Sequence, residues 1–141
     1  MRGLIVVWPA PYHALTAMLA ACADESAKLL GPDGYAKLQL LTEGSHSWGI
    51  CHDGVYEVCA GLMPLDARSG ARRFEAWFVC DRGAARRLRF FIHAAQLTLR
   101  RDFYDAVIEA RIDPGHAPGE KLARLIGFLP GATPGLWEWR S

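Results

Sequence analysis

The spacing of apolar residues predicts a short strand followed by helices in the first third of the chain. Residues 4–8 form a β-branched apolar run that stops at a Pro-Ala-Pro sequence, as expected for a buried first strand. Helical spacing then begins, with apolar residues at every third or fourth position. It predicts helices over 12–22, 24–30 and 35–43, the last two separated by a Gly-Pro-Asp-Gly turn.

After these helices the apolar residues alternate with polar ones, which is the spacing of strands. Runs at 48–51 and 55–63 flank the dipeptide Asp53-Gly54. Asp-Gly is a strong tight-turn signal because glycine takes positive φ at no steric cost. This pattern predicts a β-hairpin.

Beyond the hairpin, the chain predicts a strand that leads straight into a long helix. A polar stretch at 64–73 is predicted as a loop, and 74–80 as the strand. A basic stripe formed by Arg86, Arg89, His93 and Arg100 is typical of a solvated face. A separate apolar stripe has the spacing of a helix packed on a sheet and consists of Ala85, Leu88, Ile92, Ala95, Leu99 and Phe103.

The rest of the chain predicts three more strands around a short helix. These are a strand at 104–112, a loop at 113–119, a helix at 120–126 capped by Gly127, and short strands at 128–129 and 136–139. In order, the elements predict an α/β fold with a largely antiparallel hairpin section, closed by a strand–helix–strand unit.

The junction between the predicted strand and the long helix, Cys80–Arg87, is small and basic. A strand that ends at a helix N-terminus leaves backbone N–H groups free, and the aligned peptide dipoles make that end positive. The junction is therefore a candidate seat for phosphate or another anion. The alternative is that its arginines only solvate the end of the helix.

Composition limits the class of protein. The chain has 141 residues, 51% hydrophobic and 22% charged, which suits one globular domain. Its net charge of +1 does not favour binding to nucleic acid through bulk charge. A short apolar run and no signal-peptide layout predict a cytoplasmic protein without a membrane span.

Cysteine and histidine spacing does not favour a metal site. Cys22, Cys51, Cys59 and Cys80 are widely spaced and form no C-x-x-C pair, so they are predicted to be buried, reduced thiols. The five histidines also lack metal-ligand spacing.

The order of several short motifs resembles the GNAT (Gcn5-related N-acetyltransferase) superfamily. These motifs are Ser45–Trp48, Asp53-Gly54, Ala60–Leu62, Trp77 and the Ile-Gly-Phe ending of Leu122–Phe128. They are most similar to short phage- or prophage-encoded GNAT-like proteins of T7-type phages, and the resemblance covers the chain from about residue 12. It implies one domain over 1–141 with a mixed, mostly antiparallel sheet and helices on both faces.

The resemblance also implies acetyl-CoA as acyl donor, without a metal. In GNAT enzymes the pyrophosphate rests on a loop with the pattern Arg or Gln, two residues, Gly, one residue, Gly or Ala. Here Arg82 fits the first position and Ala85 replaces the central glycine, whereas Arg87 stands where a small residue is expected. Arg87 would either contact phosphate or block the seat. The implied cofactor-binding residues are Val79, Asp81, Arg82, Gly83, Ala84, Ala85, Arg86 and Arg87.

Catalysis in this superfamily uses proximity, polarisation of the thioester and a carboxylate that removes the amine proton. Glu75 on the predicted fourth strand is the first candidate base and Glu57 the second; the alternative is that each is a surface carboxylate. Many GNAT enzymes use a tyrosine as general acid at the position held here by Ala123. Tyr104 and His116 are the candidate substitutes, with structural or solvent-facing roles as the alternative.

Two functions stay open at this stage. One is an N-acyltransferase that acts on an unknown amine. The other is a catalytically degenerate phage or prophage protein that serves virion assembly or contacts a host protein. DNA binding through the basic stripe is a third, less favoured hypothesis. A homodimer would be compatible with an exposed apolar end formed by Phe128, Leu136, Trp137 and Trp139.

Overall fold

The computed structural model describes residues 4–8, 10–11, 13–14, 43–68, 70–80 and 87–140. The helices predicted within 12–43 fall almost entirely outside these residues, as does the segment 81–86. The described residues form seven strands and two helices: β1 Leu4–Val7, β2 His46–His52, β3 Val55–Arg68, β4 Ala71–Cys80, α1 Leu88–Asp102, β5 Ala106–Arg111, α2 Ala117–Ile126, β6 Leu129–Pro130 and β7 Leu136–Arg140.

The strands form a mixed seven-stranded sheet in the order β1-β2-β3-β4-β5-β7-β6. Strands β4 and β5 are parallel, whereas β1–β2, β2–β3, β5–β7 and β7–β6 are antiparallel. The predicted α/β class with a mixed, mostly antiparallel sheet is therefore confirmed.

Contacts divide the chain into two compact units. The first unit comprises Met1–Met63 and Trp77–Ala85, and the second comprises Pro64–Ala76 and Arg86–Ser141. The single domain over 1–141 stays a prediction.

The first unit contains the predicted hairpin. Asp53 and Gly54 have φ of 49° and 83°, so both central turn residues take positive φ, as a two-residue type I′ turn requires. The turn joins β2 to β3, and Val58 and Cys59 beyond it are 1% and 0% exposed. The hairpin prediction is confirmed, and it forms the core of this unit.

The predicted loop at 64–73 is wrong. Strand β3 continues to Arg68 and β4 begins at Ala71, with a turn at Gly70, whose φ is 74°. The sequence did not indicate these strands, because polar side chains interrupt the apolar alternation. The partners of these side chains come from later in the chain: Arg72 donates to Asp105, and Arg73 donates to Glu109.

The second unit buries the C-terminal end of the long helix's apolar stripe, at Leu99 and Phe103. Phe74 of β4 meets Phe103 edge to face with ring centroids 5.1 Å apart, and Leu99 is 6% exposed. Ile108 of β5 is fully buried. On the outer side of α1, the described members of the basic stripe, Arg89, His93 and Arg100, are exposed, as predicted for a solvated face.

The starts of β5 and α2 in the second unit differ from the prediction, whereas the end of α2 agrees with it. Tyr104 lies in the turn after α1, so β5 begins only at Ala106. Helix α2 begins at Ala117 rather than at 120, since Pro118 suits the first helical turn, where its missing N–H costs no hydrogen bond. Gly127 ends α2 with φ of 122°, as predicted for its cap.

The cysteine prediction is confirmed for two residues. Cys51 and Cys59 are buried free thiols, and burial raises the pKa of Cys59 to about 12. Cys59 is therefore protonated at neutral pH and unreactive. Cys80 is a half-buried free thiol, and Cys22 lies outside the described residues.

The apolar end predicted to be exposed is largely buried within one chain. Phe128, Trp137 and Trp139 are 5%, 4% and 6% exposed. They belong to the core between α2 and β7, so that reason for a homodimer is removed, and the dimer itself stays a prediction.

Candidate functional site

The second unit is built around two parallel strands joined by a helix. Strands β4 and β5 pair from Arg72–Ala106 to Ala76–Ala110, and α1 connects them. Parallel neighbouring strands need such a crossover because the end of the first strand and the start of the second lie at opposite ends of the sheet. The arrangement fixes which side chains of β4 and β5 lie next to one another.

One face of these strands carries a row of three glutamates. Glu75 of β4 is in register with Glu109 of β5, which is in register with Glu138 of β7. Residues in register on neighbouring strands point to the same face. The opposite face carries Phe74, Ile108 and Trp139 and forms the core with the helices.

Arginines two positions away along the same strands neutralise this row. Arg73 of β4 forms an ion pair with Glu109, and Arg111 of β5 lies 3.5 Å from Glu75 (Nε to Oε1). The face therefore consists of alternating charges from neighbouring strands.

Glu75 and Glu109 differ in how firmly they are held. The Glu109 and Arg73 side chains are only 14% and 17% exposed, so this pair is a half-buried anchor. The Glu75 side chain is 38% exposed and that of its partner Arg111 is 70% exposed. Exposed pairs of this kind contribute little to stability. Glu75 can therefore exchange Arg111 for another cation, which is what a base for an ammonium group must do.

The second candidate base lies in the first unit. Glu57 of β3 has a 17% exposed side chain, and its Oε1 is 3.8 Å from Nδ1 of His52. His52 Nε2 is in turn 3.6 Å from Asp53 Oδ2. Glu57 thus belongs to a small cluster at the hairpin turn, in a different unit from the glutamate row.

The candidate general acids occupy surface positions. Tyr104 is 63% exposed in the turn between α1 and β5. His116 caps α2, and its ring lies against Gly119, where an added Cβ would come within 2.7 Å of Cδ2. Ala123 is 6% exposed on α2 and offers no hydroxyl group. The structure does not bring Tyr104 or His116 into the glutamate row.

The anion seat is described only at its two ends. Val79 is buried near the end of β4, and Arg87 is half-buried at the start of α1. Asp81, Arg82, Gly83, Ala84, Ala85 and Arg86 lie outside the described residues.

The start of α1 has the properties that an anion requires. Its 15 residues begin with no side-chain cap hydrogen bond and no acidic residue in the first turn. The N–H groups of a helix's first turn have no partner within the helix, and the helix dipole favours a negative acceptor for them. The start of α1 therefore suits a phosphate group, whereas the loop before it lies outside the described residues.

The structure brings together three residues from the motifs of the GNAT resemblance. The Trp77 ring covers Gly61, where an added Cβ would lie 2.5 Å from the indole, and Trp77 Nε1 donates to Ser45 Oγ at 3.3 Å. Only glycine leaves room for the ring. These motif residues therefore have a structural role in the first unit.

Sequence reasoning missed Glu109 and Arg73 as parts of the glutamate row. The only local signal was a charged residue, Glu109, between apolar residues of the strand Ala106–Arg111. Their proximity depends on strand register, which a single sequence does not give.

The described residues contain neither a candidate metal site nor a candidate membrane-spanning helix. No group of three His, Cys, Asp or Glu side chains within them could hold a metal ion. Within the same residues, no helix is long and apolar enough to cross a bilayer.

The mixed sheet with a parallel β4–α1–β5 crossover matches solved acetyltransferase structures. A protein assigned to the GnaT family, from Bordetella pertussis, matches with a TM-score of 0.67 and 16% identity over 100% of this chain and 97% of that one. The GNAT domain of S. lividans PAT gives 0.67 and 13% over 96% and 88%.

An aminoglycoside N(6′)-acetyltransferase from Legionella pneumophila gives a TM-score of 0.63 and 7% identity over 98% of this chain and 90% of that one. Searches of protein-family models and of curated sequences give no match. The chain therefore has the GNAT fold, and at these identities the likeness extends to the fold alone.

Proposed function

We propose that the chain is an N-acyltransferase that moves an acyl group from acyl-CoA to an amine. The observation that carries the proposal is Glu75, a partly exposed carboxylate with a loose ion pair on β4 of a GNAT fold. Fold alone does not give activity, so the residues must support the chemistry.

Acyl-CoA would bind through the residues from Val79 to Arg87. Support comes from the start of α1, which lacks a side-chain cap bond and a first-turn acid. Backbone N–H groups and the helix dipole would hold the pyrophosphate there. The role of Arg87 stays open between contacting the phosphates and restricting them.

Glu75 would act as the base. The acceptor arrives as an ammonium ion, and its positive charge can replace Arg111 beside Glu75, after which the carboxylate takes a proton. The free amine then forms a bond to the thioester carbonyl carbon, the carbon–sulfur bond breaks, and CoA leaves as the thiolate. The nitrogen gives its second proton to water as the neutral amide forms.

A side-chain general acid is not required for this reaction. A thiol has an ordinary pKa of about 8.5, so a thiolate is an adequate leaving group and can take its proton from water. This removes the need for a hydroxyl at Ala123 and for a role of exposed Tyr104. Catalysis would then come mainly from positioning and from Glu75.

The degenerate-scaffold hypothesis remains the second candidate, because buried Ala123 and the bulky Arg87 depart from the usual catalytic pattern. Under this hypothesis the chain would contact another protein, in a virion or in a host cell. It predicts no turnover of acyl-CoA with any amine.

Calorimetry with CoA and acetyl-CoA tests the proposal. We expect a dissociation constant between about 1 μM and 1 mM, the range of ordinary enzyme substrates. Release of free CoA thiol is then followed with a panel of amines, including a polyamine, an aminoglycoside and a peptide N-terminus. Absence of binding at millimolar acetyl-CoA would refute the proposal, and binding without turnover would favour the degenerate scaffold.

Two variants locate the binding site. Arg87→Ala should change acetyl-CoA affinity, weakening it if the guanidinium contacts phosphate and strengthening it if the side chain restricts the seat. Arg100→Ala, which removes an exposed arginine in the last turn of the same helix, is the matched control and should leave affinity unchanged. Equal effects of the two variants would place acetyl-CoA elsewhere.

A further inference from the structure

The second unit contains a cavity that the proposed chemistry does not use. It has a volume of about 220 Å³ and lies between the loop after β5, the first turns of α2 and the connection from β6 to β7. Its lining includes Glu120 and Arg124 of α2 and Trp137 of β7. None of the candidate catalytic or cofactor-binding residues lines it.

The cavity walls are held by the backbone. Gly131 N donates to Leu136 O at 2.7 Å, and Ile112 N donates to Gly135 O at 2.8 Å. Side chains could not replace these glycines: Gly135 has φ of 83°, and a Cβ at Gly131 would lie 2.9 Å from Leu136 O. The cavity is thus formed before any ligand binds, which lowers the entropic cost of binding.

Two opposite charges face this cavity without an ion pair. Glu120 and Arg124 are one helical turn apart, the spacing at which such residues commonly pair. Among the described residues, the side chains of Glu120 and Arg124 form no hydrogen bond or ion pair, including with each other. The Arg124 guanidinium instead lies over the Trp137 ring, 5.0 Å from its centroid.

This separation leaves one anionic and one cationic group for a ligand. A purely anionic ligand would be repelled by Glu120 and a purely cationic one by Arg124. A ligand that carries both charges satisfies both groups. Its carboxylate would meet Arg124, which suits planar bidentate contacts, and its ammonium would meet Glu120.

The other residues that line the cavity determine the polarity and size of the ligand's uncharged part. Ile112, Pro114, Pro130 and Leu136 supply apolar walls. The volume is below the usual range of about 300–1,000 Å³ for drug-sized ligands. It therefore suits a molecule of the size of one amino acid with an apolar side chain.

We propose that this cavity is a binding site for a free, zwitterionic amino acid with an apolar side chain. The inference goes beyond acyl transfer and does not depend on it, because binding is measured without acyl-CoA. A chain that fails to bind acetyl-CoA could still bind the amino acid, so the two proposals fail separately.

Calorimetry of the full chain with L-leucine, L-methionine and L-phenylalanine tests the site. At least one should bind. Leucinamide, which lacks the carboxylate, and N-acetylleucine, which lacks the ammonium group, should each bind at least about tenfold more weakly than leucine, since each loses a charged hydrogen-bond partner. These ligand changes require no protein variant and so cannot fail through misfolding.

Variants then assign each charge. Arg124→Gln should weaken leucine at least about tenfold but leave the affinity for leucinamide unchanged. Glu120→Gln should do the same for leucine and leave N-acetylleucine unchanged. Lys121→Gln is the matched control, because Lys121 is exposed on the same helix and does not line the cavity.

The proposal is overturned if none of the three amino acids binds at millimolar concentration. It is also overturned if leucinamide and N-acetylleucine bind as tightly as leucine, or if Arg124→Gln matches Lys121→Gln in its effect on leucine. Circular dichroism of each variant confirms that lost binding is not lost folding.

Discussion

The two units of this chain differ in where their charged side chains lie and in which residues lie beside them. In the first unit the buried strand residues are apolar or small, such as Val58 and Cys59, and the carboxylate Glu57 lies beside His52 near a tight turn. In the second unit one face of the parallel strands carries glutamates in register, with arginines beside them.

This difference suggests separate roles: the first unit is a structural scaffold, and the second unit carries a charged surface that can take part in proton transfer. A carboxylate in the glutamate row lies beside arginines, whose ion pairs fix the direction of its side chain. Within that row, Glu109 is fixed by Arg73 and Glu75 is only loosely paired with Arg111. The second unit is therefore where the acceptor amine would be deprotonated.

The largest expected effect concerns the two candidate bases. Glu75→Gln should lower kcat by about 100- to 10,000-fold, the usual contribution of a general base, because the amide cannot take a proton from the ammonium group. Glu57→Gln should change kcat less than about threefold. Steady-state kinetics with an acceptor from the amine panel gives both values, and an equal loss in Glu57→Gln would place the base in the first unit.

A second prediction concerns the cores of the two units. Ile108→Ala in the second unit should lower the free energy of unfolding by about 2–5 kcal/mol, since it leaves a cavity at a fully buried position. Val58→Ala in the first unit, at a residue 1% exposed, should cost less because fewer atoms are removed.

Chemical denaturation of these two core variants also tests the single-domain prediction. If the units unfold together, both substitutions shift one common transition. Two transitions, each moved by only one of the substitutions, would instead show that the units unfold independently.

Sequence patterns correctly predicted the structural elements that depend only on residues close together in the chain. The Asp53-Gly54 turn, the apolar stripe that ends at Leu99 and Phe103, and the Gly127 cap are set by residues within one turn or one helix. Each was predictable because its cause lies within a few positions along the chain.

The parts that were missed depend on distant partners. In the sequence, Arg72 and Arg73 have the pattern of loop residues. Their partners Asp105 and Glu109, which hold them in a strand, come more than 30 positions later in the chain. Of the candidate site, Glu75 was predicted from the GNAT resemblance, but the neighbouring Glu109 was not, because strand register decides which carboxylates are neighbours. Tyr104 was placed on a strand, although it lies in a turn.

A third prediction uses Glu109 to test whether the row has distinct anchoring and reactive members. Glu109→Gln should lower the free energy of unfolding by about 1–3 kcal/mol, because it leaves the half-buried Arg73 without its anionic partner. Glu138→Gln, whose partner Arg140 is 66% exposed, is the control and should cost less than about 0.5 kcal/mol. Equal costs in urea denaturation would mean that Glu109 is not an anchor.

The smallest expected effect belongs to a surface pair of the second unit. Arg72 donates to Asp105 Oδ1 through Nε at 3.1 Å and Nη2 at 2.5 Å, and this hydrogen bonding holds the pKa of Asp105 below its ordinary value. A lowered pKa in the folded state stabilises the protein above the ordinary pKa, and that stability is lost as the pH falls through the folded-state pKa. Asp105→Asn should thus be less stable than the parent at neutral pH.

This difference between Asp105→Asn and the parent should shrink below about pH 4 and disappear in stronger acid. Arg72→Gln should show the same acid dependence, with an additional loss at every pH, because the guanidinium also lies 5.6 and 5.5 Å from the Phe74 and Phe103 ring centroids. Thermal unfolding across the acid range measures both curves. A difference between Asp105→Asn and the parent that stays constant into strong acid would show that the carboxylate acts through packing rather than through its charge.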